Sequence, residues 1–385
     1  MITATDNYLP KNGQYGLRCF GRLLDSCLLG GWCRSVTVEL RLRLREFGFS
    51  RQAAHLPHSR VLADLGQTLD SDIAASAQQP LERDGSTALL TVAVAMEVPN
   101  LEAVFADTGH EHPLTYEYVD YLSDWLQQQG HPPIRRIKAD FTHSMQRRRA
   151  YLLRVASGEI EDQFGKRRHT RETAARAAEA MQTTGNPFLD LSILKGRFPS
   201  TRRRFCSEEL KRNPIIEQVF MPMMDGDNMV LSWQGVRADE SAARRWLPEC
   251  DEVGGGLFNF RPILRWTVED VFDAHRHMGL KPNPLYTMGM GRVGCMPCIH
   301  CRKDELWNIA QRFPEVIDHV EDMERQVRLA SKRGMSTFFA IADNKGSGIR
   351  EVVEWAKTSH GGKQYDLFRV LPDGPACTSI YGLCE

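Results

Sequence analysis

The chain has no excess of either charge: 49 Lys and Arg stand against 49 Asp and Glu over 385 residues. No overall field therefore draws it toward nucleic acid or a membrane, and any anion site must be built from local groups. It also lacks an uninterrupted apolar run near the ~18 residues of a membrane span, so no membrane partner is expected. The opening residues, MITATDNYLPKNGQYGLRCF, lack a basic stretch followed by an apolar core. A secretory signal is thus not expected, and the cytoplasm is the default location. Ten cysteines in this length fall well short of a disulfide scaffold. No internal repeat or low-complexity tract stands out. What is present, 42% hydrophobic and 25% charged residues, describes an ordinary globular protein with a sizeable core, in one large domain or two smaller ones.

The most informative stretch is NPLYTMGMGRVGCMPCIHCRKD, residues 283–304. Cys295, Cys298 and Cys301 form a C-x2-C-x2-C run, opened by Gly294 and stiffened by Pro297. Three thiolates at this spacing cannot share one straight helical face, but a tight backbone turn lets them wrap one corner of a compact metal centre. The same spacing begins the cysteine run that holds iron–sulfur cubanes, whereas structural zinc prefers two separated pairs. A 4Fe-4S cluster is therefore the expected cofactor and zinc the runner-up, against the plain alternative of buried apolar cysteines. The fourth ligand must be remote, and Cys206 in RRRFCSEELK is the candidate. The three arginines before it are expected to lower its pKa and favour the thiolate. Cys19, Cys27 and Cys33 are too irregularly spaced to suggest a second site.

Residues 1–80 carry no legible function: VTVELRLRLREFGF (36–49) mixes strand-like alternation with charge, and no convincing strand leads into the loop at 82–83. From there the pattern alternates. GSTALLTVAVAM (85–96) reads as a continuous apolar helix and LEAVFADTG (101–109) as a buried strand ending in an acidic loop. Residues 113–129 read as an amphipathic helix, 134–140, 229–237 and 258–264 as strands. Thr267 is expected to cap a further helix, with Asp270 as its capping-box partner and Gly279 at its end. Residues 157–187, with GKRRHTRE at their centre, read as a charged insert, and the chain beyond 304 as mainly helical. Strands alternating with helices argue for an α/β fold with a doubly wound, mostly parallel sheet, whose ligands bind at the carboxyl ends of the strands.

Two constellations could meet an anion, and a third, Asp107-Thr108-Gly109, could hold a ribose, a base edge or a metal. Gly85, Ser86 and Thr87 precede or open a helix, whose exposed N–H groups and dipole favour negative charge. Asp107, Thr108 and Gly109 end a buried strand with a carboxylate and a hydroxyl. In SWQGVRADESAARR, Gly235 follows a strand, and Arg237, Ser241 and Arg245 follow it. Guanidinium groups at a strand end suit bidentate capture of phosphate or sulfate. An ordinary cap, turn and salt-bridged face would use the same residue types.

FADTGHEHPLTYEYVDYL, WQGVRADESAARR and RPILRWTVEDVFDAHRHMGLKPNPLYTMGMGRVGCMPC together resemble the phosphoadenosine/adenosine phosphosulfate (PAPS/APS) reductase family, over roughly residues 85–304. The resemblance implies an adenine nucleotide alpha-hydrolase-like fold, with the nucleotide held by the loops just named. It also places an upstream cluster cysteine near Cys206. The implied organisation is an unassigned extension (1–80), a nucleotide-binding domain (81–304) with the insert at 157–187, and a helical C-terminal region with a tail (305–385). Three departures accompany it. LERDGSTALL (81–90) keeps Ser86 but not the family's paired glycines, Cys301 is additional, and the tail reads Y-G-L-C-E.

The leading expectation is an enzyme that cleaves an adenylyl sulfonucleotide reductively to sulfite, with Cys384 as the nucleophile and a thioredoxin-like dithiol as reductant. A second is an ATP-using sulfurtransferase that thiolates DNA or tRNA, its basic insert meeting the polynucleotide. A third is a nucleotide-binding protein with a structural metal and no turnover.

Overall fold

A computed structural model of the chain describes residues 2–5, 85–165, 167–225, 228–339 and 348–358. The cysteines at 19, 27 and 33, most of the extension and the tail with Cys384 lie outside these residues. In chain order the elements are β1 (Ile2–Thr5), α1 (Gly85–Ala95), β2 (Leu101–Asp107), α2 (Pro113–Gln128), β3 (Arg135–Lys138), α3 (Thr142–Ser157), α4 (Arg171–Ala180) and α5 (Pro187–Lys195). An irregular helical stretch at 205–223 follows, with π-turns at Glu208–Arg212 and Ile216–Phe220. Then come β4 (Val230–Trp233), β5 (Cys250–Gly254), β6 (Leu257–Phe260), α6 (Val268–His277), α7 (Pro284–Thr287), α8 (Lys303–Arg312), α9 (Pro314–Ala330) and α10 (Ile349–Ala356). No described helix is long and apolar enough to cross a membrane.

The described residues fall into two compact units. One takes the residues up to Phe105 with Leu114–Ile137 and Ile215–Tyr286; the other takes Ala106–Pro113, Lys138–Pro214 and the residues from Thr287 onward.

The first unit carries a sheet of order β3-β2-β1-β4-β6-β5. β1 pairs antiparallel with both β2 and β4, and β4 pairs parallel with β6, so β2, β4 and β6 run the same way. This is the α/β frame expected of an adenine nucleotide alpha-hydrolase-like fold. β1 lies at residues 2–5, in the extension where no element is assigned from the sequence. Ile2 sits opposite Ala103 on one side and Trp233 on the other. Ile2, Thr3 and Thr5 are β-branched and suit a pleated surface, but four residues are too few for a period to be read. The strand expected over 258–264 stops at Phe260, because Pro262 has no N–H to donate. Arg261 instead turns inward, donating to the Pro248 carbonyl (2.8 Å) and pairing with Asp251.

α1 is apolar all round, and every residue in it except Ser86 is buried. A helix without a polar face belongs in the core. Leu89 and Val92 pack there with Leu101, Leu126, Trp233 and Ile263. α6 covers this core, and its start is the expected capping box: Thr267 Oγ1 accepts from the Asp270 N–H, and Asp270 accepts from the Thr267 N–H at 2.9 Å.

In the second unit α4 packs against α3 and α9 through Ala174, Ala177 and Ala178. The loop before α4 is tied down by buried Asp162. Its carboxylate accepts from Lys332 Nζ (2.7 Å), the His169 N–H (2.7 Å), the Phe164 N–H (3.1 Å) and the Tyr151 hydroxyl (2.9 Å). Burial opposes the charge of Asp162, but Lys332 and then the other donors outweigh it and hold the carboxyl below the usual carboxylate range. A depressed folded pKa contributes stability above the unfolded value, lost as pH falls through the folded one. Lys332→Met should therefore lower the unfolding free energy by about 3 kcal/mol at neutral pH. Urea titrations should find the gap between variant and wild type closing as pH drops below about 4. A pH-independent gap would remove Asp162 from this role.

Candidate functional site

In the first unit, the start of α1 and the loop after β4 touch through their backbones. A Cβ on Gly85 would lie 2.8 Å from the Gly235 carbonyl oxygen, and one on Gly235 would lie 2.8 Å from that of Gly85. Only glycine at both positions permits the approach. Ser86 and Thr87 thereby enter α1 beside the segment leading to Arg237. The latter segment is fixed by the Gln234 N–H donating to the Phe260 carbonyl (2.8 Å) and the Ala238 N–H donating to that of Leu264 (2.7 Å).

Arg237 and Arg245 do not converge. The Arg237 side chain is fully buried, donating to Asp239 (3.2 Å) and the Trp266 carbonyl (3.4 Å) and facing Glu240 at 3.5 Å. Arg244, also buried, pairs with the same Glu240. Ser241 Oγ accepts from the Arg244 N–H (3.3 Å), and Arg245 is exposed. Two guanidinium groups thus meet two carboxylates, Asp239 and Glu240, and the cluster is balanced in charge.

The second unit gathers the D-T-G loop and the cysteine-rich segment. Asp107 accepts from the Gly109 N–H (2.8 Å) and lies 3.9 Å from Lys138. Gly109 has φ +75, and a Cβ there would meet Pro187 and Asn186 at under 3 Å. Asn186 donates to the Gly109 carbonyl (2.6 Å) while capping α5 through the Leu189 N–H. The Phe188 N–H donates to the Thr108 carbonyl (3.0 Å), so the loop is docked on the start of α5.

On its other side the loop holds the cysteines. Glu111 and Cys295 form an antiparallel bridge, and the Met296 N–H donates to the His110 carbonyl (2.8 Å). Buried Thr108 donates to Glu111 (2.7 Å) and has its hydroxyl 3.6 Å from Cys295 Sγ. The His110 ring stacks on Phe188 with centroids 4.2 Å apart and has Nε2 3.0 Å from the Pro297 carbonyl. Burial lowers the His110 pKa to about 3, so the ring is neutral. A carbonyl can only accept, so Nε2 carries the proton.

Cys206 lies in the first turn of the 205–223 stretch, and Cys298 is buried, with its carbonyl accepting from the Cys301 N–H at 2.8 Å. None of Cys206, Cys295, Cys298 and Cys301 is in a disulfide. Burial, and then Cys298, push the Cys206 thiol up, with Lys211 pulling the other way. This corrects the expectation that the preceding arginines lower its pKa. Arg202 and Arg203 are exposed, and Lys211, in the π-turn, is the cation that Cys206 feels. Burial works against the Lys211 charge, but Cys295, Glu111, Cys298 and Cys206 together hold its pKa above the ordinary lysine value. Burial also raises the thiols of Cys295 and Cys301. Among the described residues, no three His, Cys, Asp or Glu side chains are already gathered as a metal site. Cys206, Cys295 and Cys301 each feel Cys298, and Lys211 feels Cys206, Cys295 and Cys298.

Lys211, Glu111 and His110 escape a reading of the sequence. The H-E-H after D-T-G is visible, but nothing local says that it faces a segment 184 positions away.

Residues 84–301 match the family described as the phosphoadenosine phosphosulfate reductase domain. An uncharacterised 37.8 kDa protein of Escherichia phage 186 is 44% identical over 318 residues, which is 78% of this chain and 93% of that protein. The adenosine 5′-phosphosulfate reductase of Allochromatium vinosum is 34% identical over 65 residues, 17% of this chain and 25% of the enzyme. That of Streptomyces coelicolor is 38% identical over 80 residues, 20% of this chain and 34% of the enzyme. The likeness thus spans a quarter of one of these reductases and about a third of the other.

The Gly85–Gly235 contact gives a direct test of the first unit's geometry. Gly235→Ala should destabilise the protein by about 1–3 kcal/mol through overpacking against backbone. Chemical denaturation would measure it, and an unchanged midpoint would mean that the two loops are not in contact.

Proposed function

The chain belongs to the phosphoadenosine phosphosulfate reductase family, and on that premise we propose that it binds an adenylyl sulfonucleotide and reduces it to sulfite with thiol electrons. The observation that supports this best is the clamp between the D-T-G loop and the cysteine segment, made by the Glu111–Cys295 bridge and the Met296 to His110 hydrogen bond. It puts a family nucleotide motif and the sulfur-bearing segment on one rigid support.

The residues divide the work. Ser86 and Thr87 at the start of α1 favour the anionic part of the nucleotide, on a loop that the buried Arg237 and Arg244 hold in shape. The Cys384 thiolate attacks the sulfonyl sulfur; the O–S bond breaks, and its electron pair leaves on the adenosine phosphate. A thioredoxin-like dithiol then attacks the Cys384 sulfur. Sulfite departs with the S–S electron pair, and the dithiol closes to a disulfide, so the two electrons balance. Cys206, Cys295, Cys298 and Cys301 would hold a 4Fe-4S cluster, zinc being the alternative. Such a centre, when bound, supplies negative charge and electron storage. Lys211 offsets that charge, and Thr108 offers a hydroxyl to Cys295.

The additional Cys301 favours a second reading, an ATP-dependent sulfurtransferase acting on DNA or tRNA. The two readings separate on product. Anaerobically purified protein, given sulfonucleotide and a thioredoxin, should release sulfite. Cys384→Ser should abolish release and leave metal content intact, whereas loss through Cys377→Ser alone, at the other cysteine of the tail GPACTSIYGLCE, would reassign the nucleophile. Full activity in both variants would overturn the thiol mechanism. Pyrophosphate from ATP with sulfur appearing on a polynucleotide would decide for the second reading.

A further inference from the structure

Three helices of the first unit stop at one place, and each closes in the same way. The Val98 N–H donates to the Ala93 carbonyl (3.1 Å), that of His131 to Leu126 (3.1 Å) and that of Leu280 to His275 (2.9 Å). Each bond ties the third residue past α1, α2 or α6 to the last turn of its helix. The closure needs left-handed backbone at the residue before, where glycine is the usual choice. Two of the three are glycine, Gly130 at φ +84 and Gly279 at φ +65. The third is Glu97, at φ +52.

These helix ends line an open pocket of about 550 Å³. Val94 belongs to the last turn of α1, Gln129 follows α2, and Met278 follows α6. Aligned peptide dipoles put partial negative charge at each of the three ends. A basic residue in the last turn commonly answers it, but α1 and α2 have none, and Arg276 of α6 pairs with Asp273. Nor is there a Lys or Arg among the described residues lining the pocket. The carboxylate in its wall, Glu97, has the same sign as the helix ends. Its backbone favours glycine, and its charge suits the opposite end of a helix. A side chain kept against both preferences points to a use for its carboxylate. A cation from outside would bring the site into balance.

The rest of the wall says which cation. Val94, Val98, Pro99 and Met278 are apolar, so the ligand carries hydrocarbon. Asn100 and Gln129 can turn amide oxygens toward N–H donors. A hard metal ion prefers a cage of oxygens with more than one carboxylate, and this wall has Glu97 alone. An ammonium group on an aliphatic chain uses all of these surfaces.

We propose that the pocket at the carboxyl ends of α1, α2 and α6 binds a small aliphatic amine. Glu97 is the counter-ion of the ammonium group, and Val98, Pro99 and Met278 pack against the chain. α1 has 11 residues, so the site lies about 16 Å along the helix from Gly85, at the far end from Ser86 and Thr87. The inference needs neither version of the sulfur chemistry, since none of these residues belongs to the thiol or nucleotide groups described above.

Calorimetric titration of the full chain with n-hexylamine at neutral pH tests it. Wild type should show saturable one-to-one binding. Each methylene removed from the amine should weaken it about 4-fold. n-Hexanol, with the same chain and no charge, should bind about 5-fold more weakly than n-hexylamine. Glu97→Gly should weaken hexylamine binding about 5-fold, yet raise the thermal midpoint by about 2 °C, because glycine suits the backbone there. Glu97→Gln should weaken binding as much without the gain in midpoint. Absence of saturable binding to wild type would overturn the proposal. So would equal binding of n-hexanol, which would leave an apolar cleft only, or wild-type affinity in Glu97→Gly, which would put the amine elsewhere.

Discussion

Thiolates can be crowded beside a carboxylate away from water only if a cation shares the space, and in this protein that cation is Lys211. It feels Cys295, Glu111, Cys298 and Cys206 together, from three segments distant in sequence. Desolvation alone would strip its charge, and the surrounding sulfur and carboxylate groups keep it. The π-turn at Glu208–Arg212 contains Lys211. Insertions of this kind in helices are often found at functional sites, because they re-aim a side chain at little cost. Around Lys211 the architecture is rigid: the D-T-G loop is docked on α5 through Asn186 and Phe188, and a neutral His110 props the Pro297 carbonyl.

The arginines divide by environment. Arg237, Arg244 and Arg261 are buried and paired with carboxylates, so each belongs to the interior and shapes a loop. Breaking such a pair is costly, because the partner charge would be left desolvated. Arg147 and Arg149 on α3 are exposed and cost little to keep charged. A formal net charge of zero conceals both groups.

Much of the frame is legible in the residues themselves. The apolar run at 85–96, the D-T-G strand end and the Thr267 to Asp270 cap are local patterns, and each appears where periodicity and capping rules place it. The sulfur site is legible in part, since C-x2-C-x2-C marks a centre but not its surroundings. Lys211 and Glu111 carry no local signature, because their partners arrive through tertiary contacts. β1 is hidden for another reason: four residues show no period, and its place between β2 and β4 is set by long-range pairing. Arg237 reads as a phosphate ligand by spacing, while its burial among Asp239, Glu240 and the Trp266 carbonyl depends on how the loop folds back.

The account turns on one centre shared by Cys206, Cys295, Cys298 and Cys301, and metal analysis of protein purified without oxygen addresses it directly. Brown protein with about four iron and four sulfide per chain is the predicted result, as a four-thiolate cubane requires. Cys206→Ala should lose most of that iron, while Cys250→Ala, altered in β5 away from the cysteine run, should keep it. Stoichiometric zinc without iron, or a folded and active protein with no metal, would contradict the account.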